Sequence, residues 1–321
     1  MHTVAYAYDE FDMVVERQIL PSTDYELVPS HGVDSPESRA VLKGVDAIMI
    51  ALQKMTPDVM DAMPKCKIIS RLGVGIDNID IPAATQRRIW VANVPDYGVD
   101  EVSLHALTLL LAQLRGVPRL VSDTRKGVWD ASAVRPVKRL TGQTLGIMGF
   151  GRIGRSLATK ASGFGLRILA YDPFLKADAI WGGGAQATDQ DTLLRESDFI
   201  SLHLPLSDDT RHIINARTLA MMKPSAYLIN TARGGLIDEA ALLAAVRAGK
   251  LRGAALDVLS TEPPPKDHPV LGELQTHERI LITPHIAWYS EEAMLDMRAR
   301  GAEEVVRVLR GEKPRSPVNS L

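Results

Sequence analysis

The chain has 321 residues, 45% hydrophobic and 24% charged, with a formal net charge of −2. That length and balance suit a globular protein of two domains with a sizeable core, and they give no basis for a nucleic-acid or membrane surface. The single cysteine, Cys66, excludes an internal disulfide framework and reads as structural.

Residues 1–99 alternate strand and helix signals. Strands are predicted at 4–8, 25–28, 47–52, 67–70 and 89–94, and helices at 11–20, 36–42, from Thr56-Pro57-Asp58 onward, and at 81–87. Five βα steps imply a doubly wound parallel sheet. A strand so near the start leaves no expected leader segment, and a cytoplasmic location is expected. The loop Arg71-Leu72-Gly73-Val74-Gly75 follows the fourth strand, where such sheets bind ligands. Its glycines expose backbone N–H groups, and Arg71 suits an anion. A hinge is read at 93–100, with Asp100 capping the helix that follows. That helix, 102–114, is apolar but carries Ser103, His105, Thr108 and Gln113 and is too short to span a bilayer. It is expected to be buried at a domain junction, with His105 inside it. Residues 115–143 show no clear period and read as an extended connection, a candidate for dimer contacts.

A dinucleotide fingerprint comes next. An apolar strand, Thr144–Met148, runs into Gly149-Phe150-Gly151-Arg152-Ile153-Gly154, then a helix, then a second strand ending at Asp172. Gly149 permits the tight turn, Gly151 lets a pyrophosphate approach the backbone, and Gly154 lets the helix lie close on the sheet. The helix N-terminus favours a negative ligand. Asp172 can accept hydrogen bonds from both ribose hydroxyls and would repel a 2′-phosphate, favouring NAD over NADP.

Helices follow at 176–181, 192–195, 216–222, 239–248 and 291–310. Strands are read at 199–204, 226–230, 253–258 and 280–283. The last helix is expected to return to the first domain. Three polar residues, Arg233, Glu262 and His285, lie just past strand ends. Hydride transfer at a hydroxyl or carbonyl carbon needs a group that takes or supplies a proton, and histidine suits this. A carboxylate such as Glu262 can fix its tautomer, and an arginine can hold a carboxylate in a two-pronged contact. His203 and Pro205, closing a strand, are placed with Thr210 and Thr231 at the nucleotide pocket. No cluster has metal-ligand spacing, so the chemistry is expected to be metal-free.

Residues 71–80, 93–105, 149–154, 230–235, 257–262 and 283–288 together resemble the D-isomer-specific 2-hydroxyacid dehydrogenases, which include phosphoglycerate dehydrogenases. The resemblance implies two α/β doubly wound parallel-sheet domains: a Rossmann NAD-binding domain (100–289) inserted into a flavodoxin-like substrate, or lid, domain (1–99 and 290–321). It implies that Arg233 binds the substrate carboxylate and carbonyl, that His285 is the acid/base and that Glu262 orients it. Substrate contacts from Val74 and Gly75, a nicotinamide contact from Asp257 and a homodimer are implied too. The segment 284–291, with Arg71 and 93–97, is similar to the branch containing the C-terminal-binding-protein corepressors. There Arg71 and Trp288 would correspond to substrate-pocket residues, and Tyr97 is a further candidate for selecting the acid. The expected activity is interconversion of a 2-oxo acid and a D-2-hydroxy acid. The alternative is an NAD(H)-sensing binding protein with little turnover.

Overall fold

A computed structural model of the chain describes residues 1–8 and 12–321. It divides into two compact units, Met1–Gly98 with Ser290–Leu321, and Val99–Tyr289.

The first unit runs β1 (His2–Tyr6), α1 (Val14–Ile19), β2 (Tyr25–Pro29), α2 (Pro36–Leu42), β3 (Ala47–Ile50), α3 (Pro57–Asp61), β4 (Ile68–Arg71), α4 (Ile81–Gln86) and β5 (Trp90–Asn93). Its sheet is parallel, in the order β2-β1-β3-β4-β5. β3 and β4 are buried at every position, β3 as a continuous apolar run and β4 with Ser70 and Arg71 at its end. Ser35, Thr56 and Asp80 each accept a backbone N–H at a helix start, and a proline stands in the first turn of each helix. The helix expected at 11–20 is shorter, and Phe11 lies outside the described residues. The last helix, Glu291–Leu309, packs on β4. Ser70 Oγ donates to the Gly301 carbonyl at 2.8 Å, and a Cβ at Gly301 would fall 2.3 Å from Leu72 Cδ2, so a side chain there would push the helix off the sheet. Arg298 on this helix meets the fully buried Glu16 through Nε (2.8 Å) and Nη2 (2.7 Å).

The second unit runs α5 (Val99–Arg115), α6 (Val117–Arg125), a 3₁₀ turn at Ala131–Val134, β6 (Thr144–Met148), α7 (Arg152–Ser162), β7 (Arg167–Tyr171), α8 (Ala177–Trp181), β8 (Gln186–Ala187), α9 (Gln190–Glu196), β9 (Phe199–Leu202), α10 (Ala216–Met221), β10 (Tyr227–Asn230), α11 (Glu239–Arg247), β11 (Gly253–Leu256), α12 (Pro269–Thr276) and β12 (Ile280–Ile282). Seven parallel strands lie in the order β12-β11-β10-β9-β6-β7-β8, which reverses direction between β9 and β6. One apolar cluster joins α5 residues such as Leu107 and Leu110 to Leu145 and Ile147, and a second covers the other face through Leu202, Leu228 and Leu242. The connection 115–143 is not simply extended, because α6 occupies part of it. Gly116 starts α6 in a left-handed conformation with a proline in its first turn, and no α6 residue is buried. In α6 the apolar positions Val117, Leu120 and Val121 span little more than one turn, too short a stripe to stand out as a period within 115–143.

Candidate active site

The glycine turn of the second unit is shaped by its neighbours. Gly149 has φ 94°, and a Cβ there would meet the His203 carbonyl carbon at 2.5 Å. Gly154 brings α7 onto this turn, since its Cβ would lie 2.3 Å from the Gly149 carbonyl oxygen. At Gly151, the cap of α7, nothing stands within 4 Å of a Cβ position. Open space therefore fronts the free N–H groups of the helix start, where Arg152 is exposed and Ile153 half-buried. Asp172 accepts the Phe150 N–H at 2.7 Å and the Phe174 N–H at 2.8 Å, which fixes its carboxylate beside the turn. Buried Thr231, just past β10, has a hydroxyl with no hydrogen-bond partner among the described residues. The open Gly151 cradle, the fixed acid and that hydroxyl fit a dinucleotide.

His203 and Thr210 support this floor. His203 Nε2 and Ser201 Oγ are 2.8 Å apart, and burial pushes the imidazole down to about 4. Thr210 Oγ1 donates to the Pro205 carbonyl at 2.6 Å and accepts the Ser207 N–H at 2.8 Å, so its hydroxyl ties its own loop together. Pro205 is exposed.

The polar residues at the later strand ends come from separate loops. Asn230 holds the turn after β10 from both sides, accepting the Ala232 N–H (3.0 Å) and donating to the Arg233 carbonyl (2.8 Å). Arg233 Nη1 donates to the Ala232 carbonyl at 2.8 Å. A Cβ on Gly234 would lie 1.9 Å from the Leu259 carbonyl carbon, so glycine lets the Arg233 turn abut the loop that carries Glu262. Ser260 in that loop donates its N–H (2.7 Å) and hydroxyl (2.6 Å) to Glu239 at the start of α11. Glu262 accepts the Leu259 N–H at 2.7 Å through Oε1, and its Oε2 stands 2.5 Å from His285 Nδ1. His285 has φ 51°, a left-handed conformation rare outside glycine.

Asp257, read from the sequence as a nicotinamide contact, uses its carboxylate on the protein. It accepts the Thr283 hydroxyl (2.5 Å), the Ile286 N–H (3.0 Å) and the Ala287 N–H (2.9 Å), while its carbonyl accepts the His285 N–H (2.8 Å). Burial opposes its ionisation. Hydrogen bonds from His105, Thr283, Ala287 and Ile286 outweigh that and hold the carboxyl below the usual range. Sequence alone does not point to Asn230, Glu239, Thr283 or His105 as site residues, because each acts only through a neighbour that the fold supplies. Trp288 lies edge-on to Tyr289, with centroids 5.5 Å apart.

In the first unit, buried Arg71 lies over Gly73, where a Cβ would meet its Nη1 at 1.5 Å, and Nη1 donates to the Leu72 carbonyl at 2.8 Å. Val74 is exposed, Gly75 and Tyr97 are half-buried, and Asn93 Nδ2 donates to the Val74 carbonyl at 2.7 Å.

A doubly wound sheet with this glycine turn and acid defines a dinucleotide-binding α/β protein. Residues 107–287 match the family model described as D-isomer specific 2-hydroxyacid dehydrogenase, NAD binding domain. A hydroxypyruvate reductase of Thermotoga maritima is 37% identical over 303 residues, covering 94% of this chain and 96% of that protein. A D-3-phosphoglycerate dehydrogenase of Methanocaldococcus jannaschii is 39% identical over 92% of this chain, but the chain spans only 55% of its length. The chain spans 51% of a second relative of that name, from Synechocystis. A crystal structure of D-lactate dehydrogenase from Aquifex aeolicus, complexed with NAD and lactic acid, superposes with a TM-score of 0.87 at 29% identity, over 97% of this chain and 96% of that one. The chain belongs to the D-isomer specific 2-hydroxyacid dehydrogenase family, and residues 107–287 form its NAD-binding domain.

Proposed function

We propose that this chain is an NAD-dependent oxidoreductase that interconverts a 2-oxo acid and a D-2-hydroxy acid. The observation that carries the reading is the 2.5 Å pair between His285 Nδ1 and Glu262 Oε2 in an NAD-binding domain. Glu262 holds Nδ1 and so orients the ring, which leaves Nε2 to face a substrate oxygen. In reduction His285 gives its proton to the forming hydroxyl oxygen, and in oxidation it takes that proton back. The nicotinamide, when bound, supplies or accepts the hydride. Arg233 holds the substrate carboxylate and polarises the neighbouring carbonyl. Gly149, Gly151, Arg152, Ile153 and Gly154 cradle the pyrophosphate, Asp172 takes the adenosine ribose and selects NAD, and His203, Pro205, Thr210, Thr231 and Asp257 complete the pocket. Arg71, Val74, Gly75, Tyr97 and Trp288 select the acid. Small acids such as hydroxypyruvate and glyoxylate head the candidates, because relatives matched over most of their length carry the names hydroxypyruvate reductase and glyoxylate reductase.

The protein acts in the cytoplasm as a homodimer in this reading. Support for the dimer comes from Val117, Val121, Val128 and Trp129, all exposed on and after α6, with Trp129 93% exposed.

The test is a panel of 2-oxo acids with NADH, followed by absorbance, for the wild-type chain and His285→Ala. Turnover with at least one acid, reduced about 10²–10⁴-fold in the variant with NADH binding retained, supports the reading. No turnover across the panel removes it.

A further inference from the structure

His105 is on α5, and the structure sets it behind the segment that carries His285. Its Nε2 is 3.1 Å from Thr283 Oγ1 and 3.5 Å from Asp257 Oδ1. Thr283 has a single hydroxyl proton, which it gives to Asp257 Oδ1 at 2.5 Å. Toward His105 the hydroxyl oxygen can therefore only accept, so Nε2 of His105 carries a proton. The chain of donors runs in one direction, from His105 through Thr283 to the carboxylate. Asp257 passes this order on, because it holds the Ile286 and Ala287 N–H groups with its carboxylate and the His285 N–H with its carbonyl.

His285 needs such a frame. Its left-handed backbone (φ 51°) is not one an L-residue adopts freely, and its ring must meet Glu262 across a separate loop. Freed of its neighbours, the segment would relax and carry the ring away from the carboxylate. The two ends of the frame are 178 residues apart in the chain, so nothing in local structure requires a histidine at position 105.

We propose that His105 is a positioning residue for the acid/base. Its Nε2–H orders Thr283 and Asp257, and these set His285 against Glu262. The proposal rests on the reading of His285 as the acid/base. A glutamine amide nitrogen can take the place of Nε2, whereas alanine leaves Thr283 and Asp257 without that donor.

The test compares the full-length wild type, His105→Ala, His105→Gln and Thr283→Val by two measurements. The first is the low-field proton NMR resonance of the His285–Glu262 hydrogen bond in the presence of NADH, assigned by its loss in Glu262→Gln. The second is steady-state kinetics with the best acid of the panel. His105→Ala and Thr283→Val should broaden or lose the resonance and lower kcat about tenfold, with KM for the acid nearly unchanged, as for a lost hydrogen bond to a charged network. His105→Gln should restore both. An unmoved resonance in His105→Ala overturns the proposal, as do a glutamine variant as damaged as alanine and a wild type with no such resonance. Should the alanine variant fail to fold, Thr283→Val and His105→Gln decide by the same criteria. A wild type that shows the resonance but turns over no acid removes the proposed reaction, while the resonance in the variants still decides the role of His105.

Discussion

Asp257 and His285 are joined backbone to backbone, the His285 N–H donating to the Asp257 carbonyl at 2.8 Å, while the Asp257 carboxylate takes the next two N–H groups at 3.0 and 2.9 Å. A buried acid at the end of β11 thereby shapes the segment after β12. Ring orientation at His285 is thus a property of two adjacent strand ends, and Glu262 completes it from a third loop position.

Glu262→Gln should keep the Leu259 N–H bond through its amide oxygen and turn its NH₂ toward His285 Nδ1. That forces the ring proton onto Nε2, the wrong tautomer for accepting a proton from a hydroxyl. Turnover in the oxidative direction should fall by about 10²-fold or more. NADH affinity, measured by fluorescence titration, should stay within about twofold, because Glu262 has no role in the glycine turn.

In the proposed reading, Asp172→Ser removes the acceptor for the ribose hydroxyls and the charge that repels a 2′-phosphate. The ratio of kcat/KM for NADH over NADPH should fall by about tenfold or more, the worth of one close charge interaction. An unchanged ratio removes Asp172 from the basis of NAD selection.

His203 makes stability depend on acidity. Its folded value of about 4 lies below the ordinary 6.5, so the unfolded chain binds the extra proton first. Stability contributed by the neutral ring is fully present above pH 6.5 and declines as the pH falls toward about 4. Thermal midpoints of the wild type should drop through that window, and His203→Gln should flatten the drop. An equal slope in both proteins assigns the acid sensitivity to other groups.

Arg298→Ala strands the fully buried Glu16 carboxylate. Removing one partner of such a pair costs about 3–5 kcal/mol, far more than an exposed ion pair contributes. Urea unfolding should show that loss. Adding Glu16→Gln to Arg298→Ala should recover part of it, since the stranded charge is then gone.

Trp129→Glu places a charge on the most exposed large apolar side chain of the second unit. If the α6 region pairs two copies, the variant should sediment as a monomer at concentrations where the wild type is a dimer. A monomeric wild type rejects the dimer outright.

Much of the architecture is legible because its causes are local. Buried runs such as Ala47–Ile50 and the repeated βα spacing reflect backbone pairing and burial over a few residues. Gly149, Gly151, Gly154 and Asp172 can be read together because turn, helix start and acid lie within one βαβ unit. Arg233, Glu262 and His285 stand out as candidates because each follows a strand, the end of the sheet where such folds keep their chemistry. α6 escapes that kind of reading, since its apolar positions Val117, Leu120 and Val121 cover little more than one turn.

Order along the chain therefore determines the two parallel sheets and the glycine turn, because hydrophobic periodicity and glycine geometry act between near neighbours. It names Glu262 as a candidate partner for His285 but leaves open that His105, Thr283 and Asp257 meet behind it. That was decided where β10, β11 and β12 come side by side, bringing His105, Thr283 and Asp257 together and packing Gly234 against Leu259. Hydrogen bonds act over about 3 Å. Partners 178 residues apart, such as His105 and Thr283, meet only after the sheet has closed that distance.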